Sequence, residues 1–545
     1  MFLNRKPRHI LIVGGGPCGL AALRNLTERG DFEEVVLMER RKDVGGVWYL
    51  EDPPSPLPNP NKTPTPRNYW PSPAYPALIG NVLPEYLSFS GHPFPTLPSA
   101  QHPTHPQPYP TLAETHAYLK AFAAPYLEKG VIWLEREVVE VDEVEGAEGE
   151  GEDGREGKGW MVRVRDWRGG GHGEVTVERW DAVVIATAWY DFPVWPAIPG
   201  LAEAREAGMA THAQTWHGPG GFEEKRTLVI GNANSANDIV AQLKLLPSST
   251  PSAPVYRSTR RPALRRFAFL PDKRVRDVPP VVRITITSAY GAGEDDKEDK
   301  DEEEKSERKL TIELRSGEIL QGIDKVVLGT GYSAAAAPFV RALRDHSASS
   351  PPPSPSPSSS SSPSSSRPLP SSIPKSALKP LYPLTTAHTS PPRIPALYNH
   401  ILYAPNPSLA FVGAVMSYTP FVLGDLVGWW LSLVWQGRIA IPATIGERLE
   451  GERGRVERVR GMRAGEENEE VEASSLLAYH ILGKEEQGYA RGLRGEILDA
   501  KETAWAASLP TWSDEEWARR EGMYERKWEW LRREAAAAGG GGEFD

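Results

Sequence analysis

At 545 residues the chain is long enough for two or three domains with separate cores, and 39% hydrophobic residues place it among globular proteins. Its formal net charge of −10 is misleading, because residues 142–156 and 294–307 carry −7 each and leave the remainder slightly positive. The acidity therefore belongs to two low-complexity inserts, and no broad basic face is left to take nucleic acid.

The single cysteine, Cys18, excludes an intrachain disulfide and any CxxC redox centre. It favours a reducing, cytoplasmic setting, with membrane association left open. Basic residues precede the apolar run 9–13, but five residues are too few for a signal-peptide core and suit a buried strand. Residues 409–437 are the most membrane-like. Pro420 and Asp425 within them argue for a buried core helix, so no transmembrane anchor is expected.

In chain order, strand 9–13 leads through glycines into a helix over 19–29 and a strand over 34–38 that ends at Glu39, one βαβ unit. Residues 53–76 are Pro-rich and read as an irregular excursion. A helix is expected over 111–129, with Thr111 and Glu114 at capping-box spacing. Strands follow at 131–141 and 160–166, joined by the first acidic insert, and another at 180–187. A second strand–helix start spans 226–245. Hairpin strands at 281–287 and 310–314 flank the second acidic insert, and strand 325–328 runs into GTGY. The Ser/Pro tract 347–373 reads as disordered. The apolar block 397–436 should return to the first domain, and the charged tail from Asp514, with Trp517, Trp528 and Trp530, reads as a helix packed on the surface.

The run Gly14-Gly15-Gly16-Pro17-Cys18-Gly19 satisfies G-x-G-x-x-G directly after a strand. Gly14 suits the tight turn, Gly16 close approach to a pyrophosphate, and Gly19 tight helix–strand packing. The helix N-terminus would face the phosphates. Glu39, 20 residues on, can accept ribose hydroxyls and repels a 2′-phosphate, so the site suits FAD or NAD rather than NADP. Cys18 at the helix start reads as a small packing residue, with an activated thiol as the alternative.

A looser copy of the same pattern follows Thr227, as Gly231-Asn232-Ala233-Asn234-Ser235-Ala236, with alanines at two glycine positions. The next strand ends in Arg257, Ser258, Thr259, Arg260 and Arg261 rather than in an acid. Cationic and hydroxyl groups there favour NADPH, the alternative being a basic surface turn. No metal site is expected.

These motifs resemble the flavin-containing monooxygenases, of the N,N-dimethylaniline monooxygenase-like, fungal/yeast type. The resemblance rests on GGGPCGL at 14–20, GGVW at 45–48, GNANSAND at 231–238, ATAWYDFPVWPAIPG at 186–200, GTGY at 329–332 and PSLAFVG at 407–413. Gly208, His212 and Trp216 are similar to the family's F-x-G-x-x-x-H-x-x-x-Y junction, with Glu206 and Trp216 replacing Phe and Tyr. The segment from Tyr75 to Pro84 is similar to the family's L-x-T-N-x-P segment, with Gly80 in place of Thr and one extra residue between Asn81 and Pro84.

The resemblance implies an α/β chain of two Rossmann-like domains: a discontinuous FAD domain (1–200 and 323–450), an inserted NADP domain (201–322, with the acidic loop 290–308), and a charged helical extension, 451–545. It implies FAD at Gly14, Gly16, Pro17, Gly19, Glu39, Arg40, Gly46, Val47, Trp48, Val138 and Thr187. NADPH is assigned to Gly231, Asn232, Ala233, Asn234, Ser235, Arg257, Ser258 and Arg260, and the catalytic amide to Asn81. The implied activity is NADPH- and O2-dependent oxygenation of a soft N or S nucleophile of a small molecule through a flavin C4a-hydroperoxide. Alternatives are Baeyer–Villiger oxygenation of ketones, an uncoupled NADPH oxidase, and a non-catalytic flavoprotein scaffold. Substrate identity and oligomeric state are not legible.

Overall fold

The computed structural model describes residues 6–51, 69–101, 107–144, 159–170, 173–187, 189–260, 270–287, 308–333, 338–343, 380–386, 389–464, 479–502 and 506–537. The acidic stretch 294–307, most of 142–156, the Ser/Pro tract 347–373, most of 53–76 and Arg261 lie outside them.

His9–Val13 is buried on both faces, as a near-continuous apolar run demands, and is an interior strand of a seven-stranded sheet. The order is Leu397–Tyr398, Leu402–Tyr403, Leu409–Phe411, Ala182–Ile185, His9–Val13, Glu34–Met38 and Ile132–Trp133. The last five are parallel to one another. The apolar block near residue 400 thus returns to the first sheet, as expected. Pro17, pre-set for a first helical turn, starts the helix Pro17–Glu28 two residues before the expected position. The helix Pro420–Trp435 packs on it, with Gly424 and Gly428 against Cys18, Ala22 and Asn25.

That second helix is the membrane-like stretch. It is buried within the protein, and among the described residues no helix is long and apolar enough to cross a membrane. Its Asp425 is fully buried yet fully engaged: it accepts from Arg24 Nη2 at 2.5 Å, Asn25 Nδ2 at 2.8 Å and the Ser90 amide at 2.8 Å. Burial pushes this carboxyl up, but the Arg24 and Arg29 charges and the hydrogen bonds hold it below the usual range.

Two expected strands each prove to be two. The run 131–141 breaks at Glu135, which has a left-handed φ of 56°. Ile132–Trp133 joins the central sheet, while Arg136–Val144 enters a separate sheet with Gly159–Asp166 and Glu174–Trp180. The run 180–187 breaks at Asp181, whose carboxylate accepts from the amides of Arg8 and His9.

The second Rossmann-like unit is a parallel sheet ordered Val275–Val278, Val255–Ser258, Thr227–Ile230, Lys325–Leu328, Ala210–His212. Lys325–Leu328, expected at the start of the returning segment, pairs inside this sheet, so the chain crosses back beyond residue 328. The tail forms two helices, Asp514–Glu521 and Met523–Ala537. Met523, Tyr524 and Lys527 are buried, so this tail is not simply laid on the surface.

Candidate dinucleotide and oxygenation site

A cavity of about 600 Å³ opens beside the first glycine turn. Gly14 adopts φ +109°, and a Cβ there would sit 2.8 Å from the Ala186 carbonyl oxygen. A Cβ on Gly19 would fall 1.9 Å from the Gly14 oxygen, so Gly19 lets the helix close on the strand. Gly16 meets only the backbone of Gly46 within 4 Å, which leaves a thin main-chain wall. No side chain caps this helix, so its first N–H groups and positive dipole end are left for an anionic ligand.

Gly14, Gly16, Pro17, Glu39, Arg40, Gly46, Val47, Trp48, Val138 and Thr187 all line the cavity, whereas Gly19 lies behind it. The buried Glu39 carboxylate accepts from the amides of Gly15 at 2.6 Å and Arg41 at 2.9 Å, which fixes it at the cavity wall. Arg40 donates to Asp191 at 2.7 Å. Arg41, not anticipated from the sequence, donates to the carbonyls of Gly46 and Tyr49 and so shapes the GGVW turn. Burial pushes the Cys18 thiol up to about 12, which removes the thiolate and supports its reading as a packing residue. The glycine wall, the uncapped helix and the anchored acid fit a dinucleotide such as FAD.

The second turn is built the same way. Gly231 has φ +138°, and a Cβ there would lie 2.4 Å from the Gly329 oxygen. The helix Asn234–Leu243 follows Ala233 without a side-chain cap. Asn234 lines the same cavity as the first glycine turn. At the end of Val255–Ser258 the side chains diverge. Arg257 is buried, with two bonds of 2.7 Å to Asp277 and one of 2.8 Å to Asn237, and the Ser258 hydroxyl donates to Pro279. Arg260 is exposed.

At the junction, Gly208 has φ +69° and its carbonyl accepts from Lys325. His212 Nδ1 accepts the Gln214 amide at 3.1 Å, which places a neutral ring's proton on Nε2. Burial pulls His212 down to about 4. The Gln214 side chain donates to the carbonyls of Tyr190 and Asp191, two cavity-lining residues of the linker. These are the contacts of a side chain that holds a linker in place. Trp216 instead belongs to the inserted unit, packed on Phe222 and donating to Gln242.

Asn81 is half-buried in the turn after Gly80 and is not among the residues lining the cavity. Several wall residues were not anticipated: Phe339, His400, Met416, Ser417, Tyr418 and Tyr489. Three of them, Met416, Ser417 and Tyr418, lie three to five residues past the end of PSLAFVG at Gly413, the nearest sequence signal to them. Among the described residues no cluster of His, Cys, Asp and Glu could hold a metal ion.

Comparison with known proteins agrees with this geometry. Residues 7–263 match the family model described as FMO-like, flavin-binding monooxygenase-like. Flavin-containing monooxygenase FMO GS-OX2 of Arabidopsis thaliana is 31% identical over 233 residues, 43% of this chain and 46% of the relative, so the match spans about half the length of that protein. FMO GS-OX3 of the same plant is 25% identical over 80% of this chain and 75% of its own. The fold is that of S-allyl-L-cysteine S-oxygenase from Allium sativum, with a TM-score of 0.55, 20% identity and coverage of 96% of this chain and 100% of that one. Tmm from Pelagibacter has a TM-score of 0.56 at 18% identity, covering 89% and 85%. Both glycine turns, the GGVW turn and these matches together make residues 7–263 similar to the flavin-binding monooxygenases, on a fold shared with solved members of that group.

Proposed function

We propose that the protein is an FAD-binding, NADPH- and O2-dependent monooxygenase that oxygenates a nitrogen or sulfur atom of a small molecule. The observation that carries this reading is that Asn234, from the second glycine turn, lines the cavity walled by the first. Two nucleotide sites facing one space suit a nicotinamide brought against a flavin. When bound, FAD supplies hydride acceptance and oxygen activation.

The chain's own residues do the holding. Gly14, Gly16 and the N-terminus of Pro17–Glu28 take the FAD pyrophosphate, and Glu39 accepts ribose hydroxyls. The segment from Gly231 to Ser235 takes the second pyrophosphate, and Arg260, exposed just past the strand end, takes the 2′-phosphate. Trp48, Val412, Val415 and Leu423 give the cavity apolar walls that exclude water. The same reading assigns Asn81 the amide that orients oxygen, a role that requires its turn, outside the cavity lining here, to approach the flavin. No protein nucleophile is required. The division into an FAD unit, an inserted NADP unit and a helical extension belongs to the same reading, as does a cytoplasmic location.

Purified protein should be yellow and should consume NADPH faster when a tertiary amine or thioether is added, with one oxygen atom gained by the product. Colourless protein, or NADPH consumption with no oxygenated product from any amine, thiol or thioether, would overturn it. The position of Asn81 outside the cavity lining favours one second reading, an NADPH oxidase that releases H2O2. Peroxide in equal amount to NADPH with every substrate would select it.

A further inference from the structure

The segment around Asn81 departs from the family pattern, and the structure shows what lies against it. Gly80 sits with its amide donating to the Pro110 carbonyl at 2.8 Å, and a side chain at this position would crowd that same oxygen. Its own carbonyl accepts a 3.0 Å hydrogen bond from Lys527 Nζ, 447 residues further along the chain. Lys527 is buried, and its ammonium lies 4.4 Å from the Tyr109 ring centroid and 4.6 Å from that of Trp530.

Lys527 is one helical turn beyond Met523, whose carbonyl accepts the Tyr109 hydroxyl at 2.9 Å. Positions i and i+4 of Met523–Ala537 thus face the same segment. Among the described residues no carboxylate lies within ion-pair distance of Lys527. Asp238, on the helix of the second glycine turn, accepts the Tyr75 hydroxyl at 2.5 Å and so joins this segment to that helix. Burial pushes the Lys527 amine down to about 8, with Asp238 opposing. A buried cation without a paired carboxylate is a costly feature, and here its donor is spent on one carbonyl next to Asn81.

We propose that Lys527 is a positioning residue: from the C-terminal helix it fixes the Gly80–Asn81 turn, and with it the segment from Tyr75 that the Tyr75–Asp238 hydrogen bond ties to the second nucleotide helix. The kinetic half of this inference rests on the monooxygenase reading; the structural half does not. The turn that lacks the family's threonine is thus braced from outside by a segment beyond the family match.

The test uses the full-length chain carrying Lys527→Met or Lys527→Arg, purified with FAD. Amide hydrogen exchange over residues 76–84 and 236–243 is read together with kcat, KM for NADPH and the ratio of oxygenated product to NADPH. Lys527→Met should speed exchange in both segments at least about fivefold, lower kcat and the product ratio, and leave flavin content unchanged. Lys527→Arg, which keeps a donor and a charge, should restore at least half of each effect. Exchange and product ratio within twofold of the parent in Lys527→Met overturns the proposal, as does equal loss in Met and Arg variants. If Lys527→Met does not fold, Trp530→Leu replaces it, since it strips one ring from the ammonium, with the same expected and overturning results. Because exchange needs no turnover, a parent protein that consumes no NADPH defeats the monooxygenase reading while the exchange arm still decides the role of Lys527.

Discussion

The Glu39 carboxylate accepts the Gly15 amide at 2.6 Å, so the acid that ends the second strand is tied directly into the glycine turn. Sequence spacing presents these as two separate ligand-binding elements. In the fold each holds the other. Glu39→Ala should therefore lose both a ribose acceptor and the partner of two buried amides. Losing charged hydrogen bonds of this kind costs about 1.5–3 kcal/mol, or roughly 10- to 100-fold in FAD affinity. Flavin fluorescence titration of apoprotein checks it, and an unchanged affinity would remove Glu39 from the site.

Breaking the buried Arg24–Asp425 pair should be costly in a specific way. Asp425→Leu leaves the Arg24 guanidinium buried without its carboxylate and should destabilise the chain by about 3–5 kcal/mol. Replacing both by leucine should recover part of that loss. Urea unfolding of the single and double variants measures the difference. A double variant no better than the worse single would mean that packing, not charge, dominates there.

Acid should unfold the protein earlier than its carboxylates alone dictate. Burial lowers His212 to about 4 and His400 to about 3, and pushes His480 well below its usual range. The unfolded chain takes up these protons near 6.5 while the folded chain does not. Their stabilising contribution is thus present above pH 6.5 and is lost as pH falls toward 4. Thermal midpoints recorded between pH 7 and 4.5 should drop, and His212→Gln should flatten part of that drop. A midpoint insensitive to pH across this window would contradict the prediction.

Nucleotide preference should separate the two arginines at the end of Val255–Ser258. Arg260→Ala should raise KM for NADPH about tenfold with little change for NADH, the scale of one lost charge-assisted contact. Arg257→Ala should instead lower the stability of the inserted unit, because its guanidinium is held by Asp277 and Asn237. Steady-state kinetics with both nucleotides, beside thermal melts, distinguishes the outcomes. Equal nucleotide discrimination in both variants would overturn this assignment.

Both glycine turns are legible in the sequence because their geometry is local. Gly14 and Gly231 need left-handed backbone, and the strands and helices around them are single apolar runs. The break at Glu135 is not legible, because nothing in an apolar-alternating run marks a glutamate that turns left-handed. Arg257 shows the opposite limit: its place at a strand end suggests a free cation, but Asp277 comes from the adjacent strand and claims it. The far cavity wall, with Phe339, His400 and Tyr489, is assembled from segments distant in the chain, so no spacing rule reaches it. Lys527 is hardest of all, since a lysine in a charged, tryptophan-bearing tail reads as a solvated surface residue.

The bond from Lys527 to Gly80 also sets an order of events during synthesis. The N-terminal glycine turn, its helix and the second strand can pair as soon as they leave the ribosome, because their contacts are close in sequence. The carbonyl of Gly80 must wait 447 residues for Lys527, and the hydroxyl of Tyr109 must wait 414 for Met523. A chain truncated before residue 523 would emerge with its first nucleotide turn formed and the Asn81 turn unsupported, so translation completes that corner long after the glycine turn that precedes it.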